Sequence, residues 1–171
     1  AELAHDVNVL APRLGIEAGP ARVDLARVRA WKETLKKPQE QWVHDLESVG
    51  FATFTGEAEL AGGGRVRVGD VELESERILV ATGSRTAVPP IEGIDGIDWI
   101  DHVSALELER LPASLLVVGA GAVGLEFGQA FARFGAKVTI VDAADRIAPL
   151  ADAEASRTLA AALADEGIEL A

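Results

Sequence analysis

Hydrophobic and polar positions change period several times along the chain, and each change predicts a different kind of element. Ala1–Asp6 reads as the tail of a helix, and residues 7–22, with Pro12, Gly15, Gly19 and Pro20, carry no period and predict a loop. Between Leu25 and Val49 the spacing is helical. Leu25, Val28, Trp31, Leu35, Trp42, Val43, Leu46 and Val49 fall on one stripe, Asp24 can cap its start, and Pro38 should kink or break it. The two tryptophans Trp31 and Trp42 read as core or interface residues. From Phe51 the period drops to two. FATFTGEAEL, RVRV at 65–68, VEL at 71–73 and RILVAT at 77–82 predict a meander of short antiparallel strands with turns at Gly62–Gly64 and Gly69-Asp70. The last of these, Ile78–Ala81, is apolar enough for a central strand.

Residues 88–98 form a Pro/Gly-rich connector, Asp101 can cap a short helix through Leu108, and Pro112 resets the chain. The order from residue 114 onward is then β-α-β-α-β. Leu115–Val118 predicts a buried parallel strand, and Ala122–Phe134 a helix with Val123, Phe127, Ala130, Phe131 and Phe134 at helical intervals, stopped by Gly135. Lys137–Val141 makes the second strand. Asp152 can cap a helix over 153–166, Gly167 ends it, and Ile168–Leu170 starts a third strand. The fold class is α/β, the mononucleotide-binding half of a doubly wound sheet.

Candidate chemistry concentrates in that second half. Gly119, Gly121 and Gly124 stand at G-x-G-x-x-G spacing between a strand and a helix. The first permits a tight turn, the second lets backbone approach a pyrophosphate, and the third lets helix and strand pack closely. The helix terminus adds free amides and the positive end of a dipole. Asp142, at the tip of the second strand, can accept hydrogen bonds from both ribose hydroxyls of an adenosine. The competing readings are a purely structural glycine turn and a solvated acid at a strand end. Thr82-Gly83 is a small-residue corner, which on physics alone is a turn before it is a site.

Composition narrows the partners. With 16 Lys and Arg against 28 Asp and Glu, the net charge is −12, which repels nucleic acid and anionic lipid. There is no cysteine, so no disulfide framework, thiolate metal site or thiol nucleophile within the chain. No run approaches the ~20 apolar residues of a membrane span, and the default expectation is cytoplasmic. His5 and His44 are scattered on helical surfaces, and no cluster of metal-ligating residues is apparent. Both ends look cut, which suggests an internal piece of a longer polypeptide.

ATGSRTAVPPIEGI at 81–94, SALELERLP at 104–112 and VVGAGAVGLEFGQAFARFGAKVTIVDAADRI at 117–147 together resemble the pyridine nucleotide-disulfide oxidoreductases, in the dihydrolipoamide dehydrogenase and mercuric reductase branch. The resemblance implies an FAD domain with an inserted nicotinamide domain, with electrons passing from NAD(P)H through flavin to a disulfide and then to a substrate. It makes residues 1–113 part of the FAD domain and 114–171 the start of the nicotinamide domain. It assigns Gly56, Ala58, Thr82 and Gly83 to FAD, and Gly119, Gly121, Ala122, Val123, Gly124 and Asp142 to NAD. Glu126 matches a family glutamate near the flavin and nicotinamide rings, the alternative being a surface acid. Asp142 would repel the 2′-phosphate of NADPH, so the resemblance implies NADH. Arg146 is close by in sequence but could pair with Asp142 or Asp145. Ala122 stands where some members place an aromatic lid. Relatives are dimers, which implies a homodimeric whole protein.

The chain lacks the family's first G-x-G-x-x-G, its C-x4-C pair and its His-Glu acid/base pair, so by itself it should be inactive. His102 stands where relatives often have Ser. Two other functional classes remain open from the sequence: a non-catalytic dinucleotide-binding or redox-sensing module, and a flavin NADH oxidase or ferredoxin-reductase-like protein without the redox disulfide. The electron acceptor could be lipoamide, mercuric ion, another disulfide or a quinone.

Overall fold

The computed structural model describes all 171 residues, and the chain divides into two compact units, one of residues 1–33 with 96–171 and one of residues 34–95. In the first unit a three-stranded parallel sheet runs in the order β4-β5-β6, formed by β4 (Ser114–Val118), β5 (Lys137–Val141) and β6 (Glu169–Leu170). Helix α6 (Ala122–Phe134) joins the first two strands and α7 (Ala153–Asp165) the last two. This is the β-α-β-α-β order expected from the sequence.

Register explains which residues make the core. Leu115 pairs with Val138 and Val117 with Ile140, and these side chains share the face that packs beneath the helices with Leu125, Phe131, Leu163 and Ile168. The other face is open. Leu116 is 62% exposed and Val118 is exposed too, so β4 is not the fully buried strand its composition suggests. It lies at the sheet edge, and within this chain the helices pack on the side of Val138 and Ile140.

The buried face of α6 is also offset from expectation. Leu125, Gly128 and Phe131 are buried, Phe127 stacks on Phe131 while Phe134 meets it edge-on, and Val123 is exposed. A Cβ on Gly128 would lie 2.7 Å from Ile140 Cδ1, so the strand's side chain fills the space a helix side chain would take. Gly135 then closes α6: its amide donates to Ala132 O and the Ala136 amide to Phe131 O, the paired bonds of a Schellman motif. At α7, Asp152 occupies the N-cap position without a side-chain cap bond.

Arg133 near the end of α6 clamps Glu166 at the end of α7. Nε donates to Oε2 and Nη2 to Oε1, both at 2.7 Å, and Gln129 adds a third bond at 2.8 Å. The side chains are only 20% and 15% exposed. The Arg133 bonds hold the Glu166 carboxyl below the usual carboxylate range, with burial opposing. Because the folded pKa is depressed, this stabilisation is present above the unfolded pKa and is lost as pH falls through the folded one. Glu166→Gln should therefore cost about 1–2 kcal/mol at neutral pH and progressively less in acid, as read by urea unfolding.

The N-terminal helix differs from the sequence reading. It runs through Glu2–His5, a π-helical turn at Asp6–Leu10 and Ala11–Arg13, so Pro12 lies inside it. Pro12 sits in the first turn after the π segment, where a missing amide hydrogen is tolerated. Helix α3 (Leu25–Leu35) follows, with the Arg27 amide donating to Asp24 Oδ1, and Arg29 and Lys32 reach Glu107. Of its apolar stripe only Leu25 is buried, and Val28 and Trp31 are exposed. Farther along, His102–Ala105 makes α5, shorter than expected, capped by Asp101 and Ser104 in a full capping box.

In the second unit Pro38 does end the preceding helix, and α4 (Gln39–Ser48) restarts with Pro38 as its N-cap residue. Trp42, Leu46 and Val49 are exposed, so the predicted stripe has no cover within the chain. The meander is β1 (Ala58–Gly62), β2 (Arg65–Val68) and β3 (Val71–Glu74), antiparallel in the order β1-β2-β3. The fourth expected strand is absent: residues 77–91 have no regular structure, and Ile78, Leu79 and Val80 are exposed. A strand exists only through its ladder, and no segment of this chain pairs with 77–82. No helix is long and apolar enough to cross a membrane.

Candidate dinucleotide site

The glycine turn of the first unit is built from two constraints. Gly119 has φ 108°, which only glycine adopts without strain, and its amide donates to Val141 O at 2.8 Å, binding the turn to β5. A Cβ on Gly124 would sit 1.9 Å from Gly119 O and 3.3 Å from Val117 Cγ1. The third fingerprint glycine is thus the place where helix backbone lies against turn backbone. Gly121 is different. Its φ of −78° suits any residue and nothing lies within 4 Å of where its Cβ would be. That space is open toward the start of α6, whose first-turn amides have no intrahelical acceptor and which Gly121 caps without a side-chain bond.

Asp142 closes the arrangement from the end of β5. Its Oδ2 accepts from the Ala120 amide at 2.6 Å and its Oδ1 from the Ala144 amide at 2.8 Å. The Ala120 and then the Ala144 bond hold the carboxyl below the usual aspartate range, against desolvation, with a smaller contribution from the Ala143 amide. An ionised carboxylate has about four acceptor positions, so two remain for hydroxyl donors. Arg146 does not pair with Asp142 or Asp145: its Nη2 donates to Pro149 O and Ala151 O.

Beside the turn is a mainly apolar cleft of about 590 Å³, lined by Gly121, Ala122, Leu125 and Glu126 of α6 and by Leu150 and Leu159 across from them. Glu126 is exposed on its rim. The first unit therefore brings Gly119, Gly121, Ala122, Val123, Gly124, Glu126 and Asp142 to one end of β4, β5 and α6. The other four candidates lie in the second unit. Ala58 opens β1 opposite Val68, whose Cγ1 would lie 2.9 Å from a Cβ on Gly56, and Thr82-Gly83 lies in the irregular stretch, with Gly83 at φ 79° and nothing within 4 Å of where its Cβ would be. Sequence reasoning did not single out Gly128, Ala120 or Ser156. Gly128 was detectable, because it follows Gly124 by four residues and so shares its helix face.

Strand, glycine turn, helix and strand-end acid in this arrangement define a dinucleotide-binding α/β fold. The comparisons are specific about its kind. Residues 7–171 match the family model described as pyridine nucleotide-disulphide oxidoreductase. A mercuric reductase of Bacillus cereus is 33% identical over 98% of this chain and 27% of its own length. Dihydrolipoyl dehydrogenase 3 of Pseudomonas aeruginosa is 36% identical over 91% of this chain and 34% of its own length. The solved HOCl-induced flavoprotein disulfide reductase RclA of Escherichia coli superposes with a TM-score of 0.69 at 32% identity, over 88% of this chain and 35% of that one. The chain belongs to the pyridine nucleotide-disulphide oxidoreductase family. It spans about a third of the length of these relatives.

Proposed function

We propose that the chain supplies two parts of an FAD-dependent oxidoreductase that takes electrons from NADH and delivers them to a disulfide or a small-molecule acceptor. Residues 1–113 serve the flavin and residues 114–171 begin the nicotinamide-binding part. The observation that carries this reading is the Asp142 carboxylate bonded to the Ala120 amide beside an open helix terminus. The first-turn amides of α6 and its dipole suit a pyrophosphate, and the space at Gly121 admits it to the backbone. The free acceptor positions of Asp142 suit the 2′- and 3′-hydroxyls of an adenosine ribose.

For FAD the support is narrower. Gly83 leaves backbone open to a ligand, whereas the space at Gly56 is taken by Val68, so Gly56 contributes turn geometry. The bound cofactors supply hydride and electron-pair transfer; the chain's own residues bind, orient and exclude water. This reading gives Glu126, which lines the cleft, the role of orienting the reacting rings. The relatives' names suggest mercuric ion as an acceptor and a dihydrolipoyl group as a dithiol partner.

Two measurements test this. Titrating the chain with NADH and following nicotinamide fluorescence should give saturable binding that ADP-ribose displaces. The whole protein, purified and reconstituted, should show flavin absorption bands. A colourless product, or NADH fluorescence unchanged by the chain, would overturn the proposal.

A further inference from the structure

The loop between β5 and α7 is held more firmly than a connector requires. Ala148 has φ 45°, the only positive value outside glycine in the chain, and a non-glycine residue stays there only when its surroundings impose it. Here they do. The Ala148 amide donates to Ala120 O at 2.8 Å, and the Ala151 amide to Ala148 O at 2.8 Å. Arg146 Nη2 donates to Pro149 O at 3.0 Å and to Ala151 O at 3.1 Å. From α7 the Ser156 hydroxyl, 2% exposed and the one buried polar side chain, donates to Ile147 O at 2.7 Å.

All of this converges on Ala120, itself 1% exposed. Its carbonyl takes the Ala148 amide while its own amide donates to Asp142 Oδ2. The anchorage of the loop and the anchorage of the ribose-binding acid therefore share one residue inside the glycine turn. A shift of 146–151 moves the Ala120 carbonyl, and the amide beside it carries the carboxylate along.

We propose that Ser156 and Arg146 are positioning residues for the dinucleotide, fixing residues 146–151 so that Ala120 holds the Asp142 carboxylate in a single orientation toward the ribose. Ser156, 2% exposed, has no surface with which to touch the ligand. The inference rests on the dinucleotide reading above, and its test separates the two.

The experiment is a double-mutant cycle on the NADH dissociation constant of the full chain, with Ser156→Ala, Asp142→Asn and both together. Ser156→Ala should weaken binding by roughly three- to tenfold, the value of one lost buried hydrogen bond. Asp142→Asn should weaken it by a similar factor. In the double variant the serine change should add less than about twofold, because the group it positions is already compromised. A purely structural serine would instead lower affinity by the same factor in both backgrounds, which overturns the proposal.

Arg146→Gln, at an exposed position, provides a second variant should Ser156→Ala fail to fold, and it should couple to Asp142→Asn in the same way. Arg146→Lys, which can still donate to the two carbonyls, should recover most of the affinity. If Asp142→Asn weakens binding while Ser156→Ala and Arg146→Gln do not, positioning is excluded and the dinucleotide site stands. If Asp142→Asn itself leaves NADH affinity unchanged, the dinucleotide reading fails and this inference with it.

Discussion

Gly124→Ala is expected to lose both NADH binding and most of the stability of the parallel-sheet unit. The added Cβ would lie 1.9 Å from Gly119 O and 3.1 Å from Gly119 C, a clash of backbone with backbone that no rotamer change relieves. Gly119 cannot yield easily, since its φ of 108° is fixed by the turn and its amide is bonded to Val141 O. The helix must move instead, and α6 carries Leu125, Gly128 and Phe131 into the core. Lifting that face off β4 and β5 should cost about 3–5 kcal/mol, a large share of the 5–15 kcal/mol by which a domain is usually stable. Gly121→Ala is the matched control. With φ −78° and nothing within 4 Å, it should unfold at the same urea concentration as the parent chain yet bind NADH more weakly, because its methyl group stands in the phosphate approach. Denaturation midpoints and NADH titrations of the two variants separate packing from contact. A Gly124→Ala variant with parental stability would show that the turn relaxes and that the clash carries no cost.

The second half of the chain was legible because its signals agree across levels. A β-branched run, three glycines, a helical period and an acid all require the same β-α-β unit, and the meander's turns were equally plain at Gly62–Gly64 and Gly69. What escaped was set by partners rather than by local pattern. Ile78–Ala81 has the composition of a central strand, but a strand needs a neighbour to complete its ladder and no segment of this chain pairs with it. Leu116 and Trp42 look like core by type and are exposed for the same kind of reason. Gly128 escaped because hydrophobic periodicity weighs side chains and this contact consists of a missing one. Pro12 marked a loop by its usual meaning, yet a π-helical turn before it leaves room for it in a helix. The roles of Arg146 and Ser156 depend on carbonyls, which no residue pattern displays.

Asp142→Arg is expected to invert the cofactor preference. Two backbone amides hold this carboxyl below the usual aspartate range, the larger effect coming from Ala120, so it is ionised at neutral pH, and in the proposed binding mode it would face the 2′-substituent. An ionised acid there accepts from ribose hydroxyls and repels a phosphate. Arginine removes the acceptor and presents a guanidinium fork that matches phosphate geometry. NADH affinity should fall by about tenfold and the NADPH-to-NADH preference should rise by about a hundredfold, the sum of one lost charged hydrogen bond and one gained ion pair. Arg146 Nη2 is already engaged by the Pro149 and Ala151 carbonyls. Asp142→Asn divides the two effects, since it abolishes the charge and keeps one oxygen acceptor: NADPH should gain modestly and NADH lose modestly. The pH dependence follows from the same bonds. A depressed carboxyl pKa keeps the acceptor ionised as pH falls, so NADH affinity should be flat between about pH 8 and 5 and drop only below the ordinary aspartate range. Fluorescence titrations with both cofactors check each point, and a cofactor ratio unmoved by arginine would remove Asp142 from the ribose site.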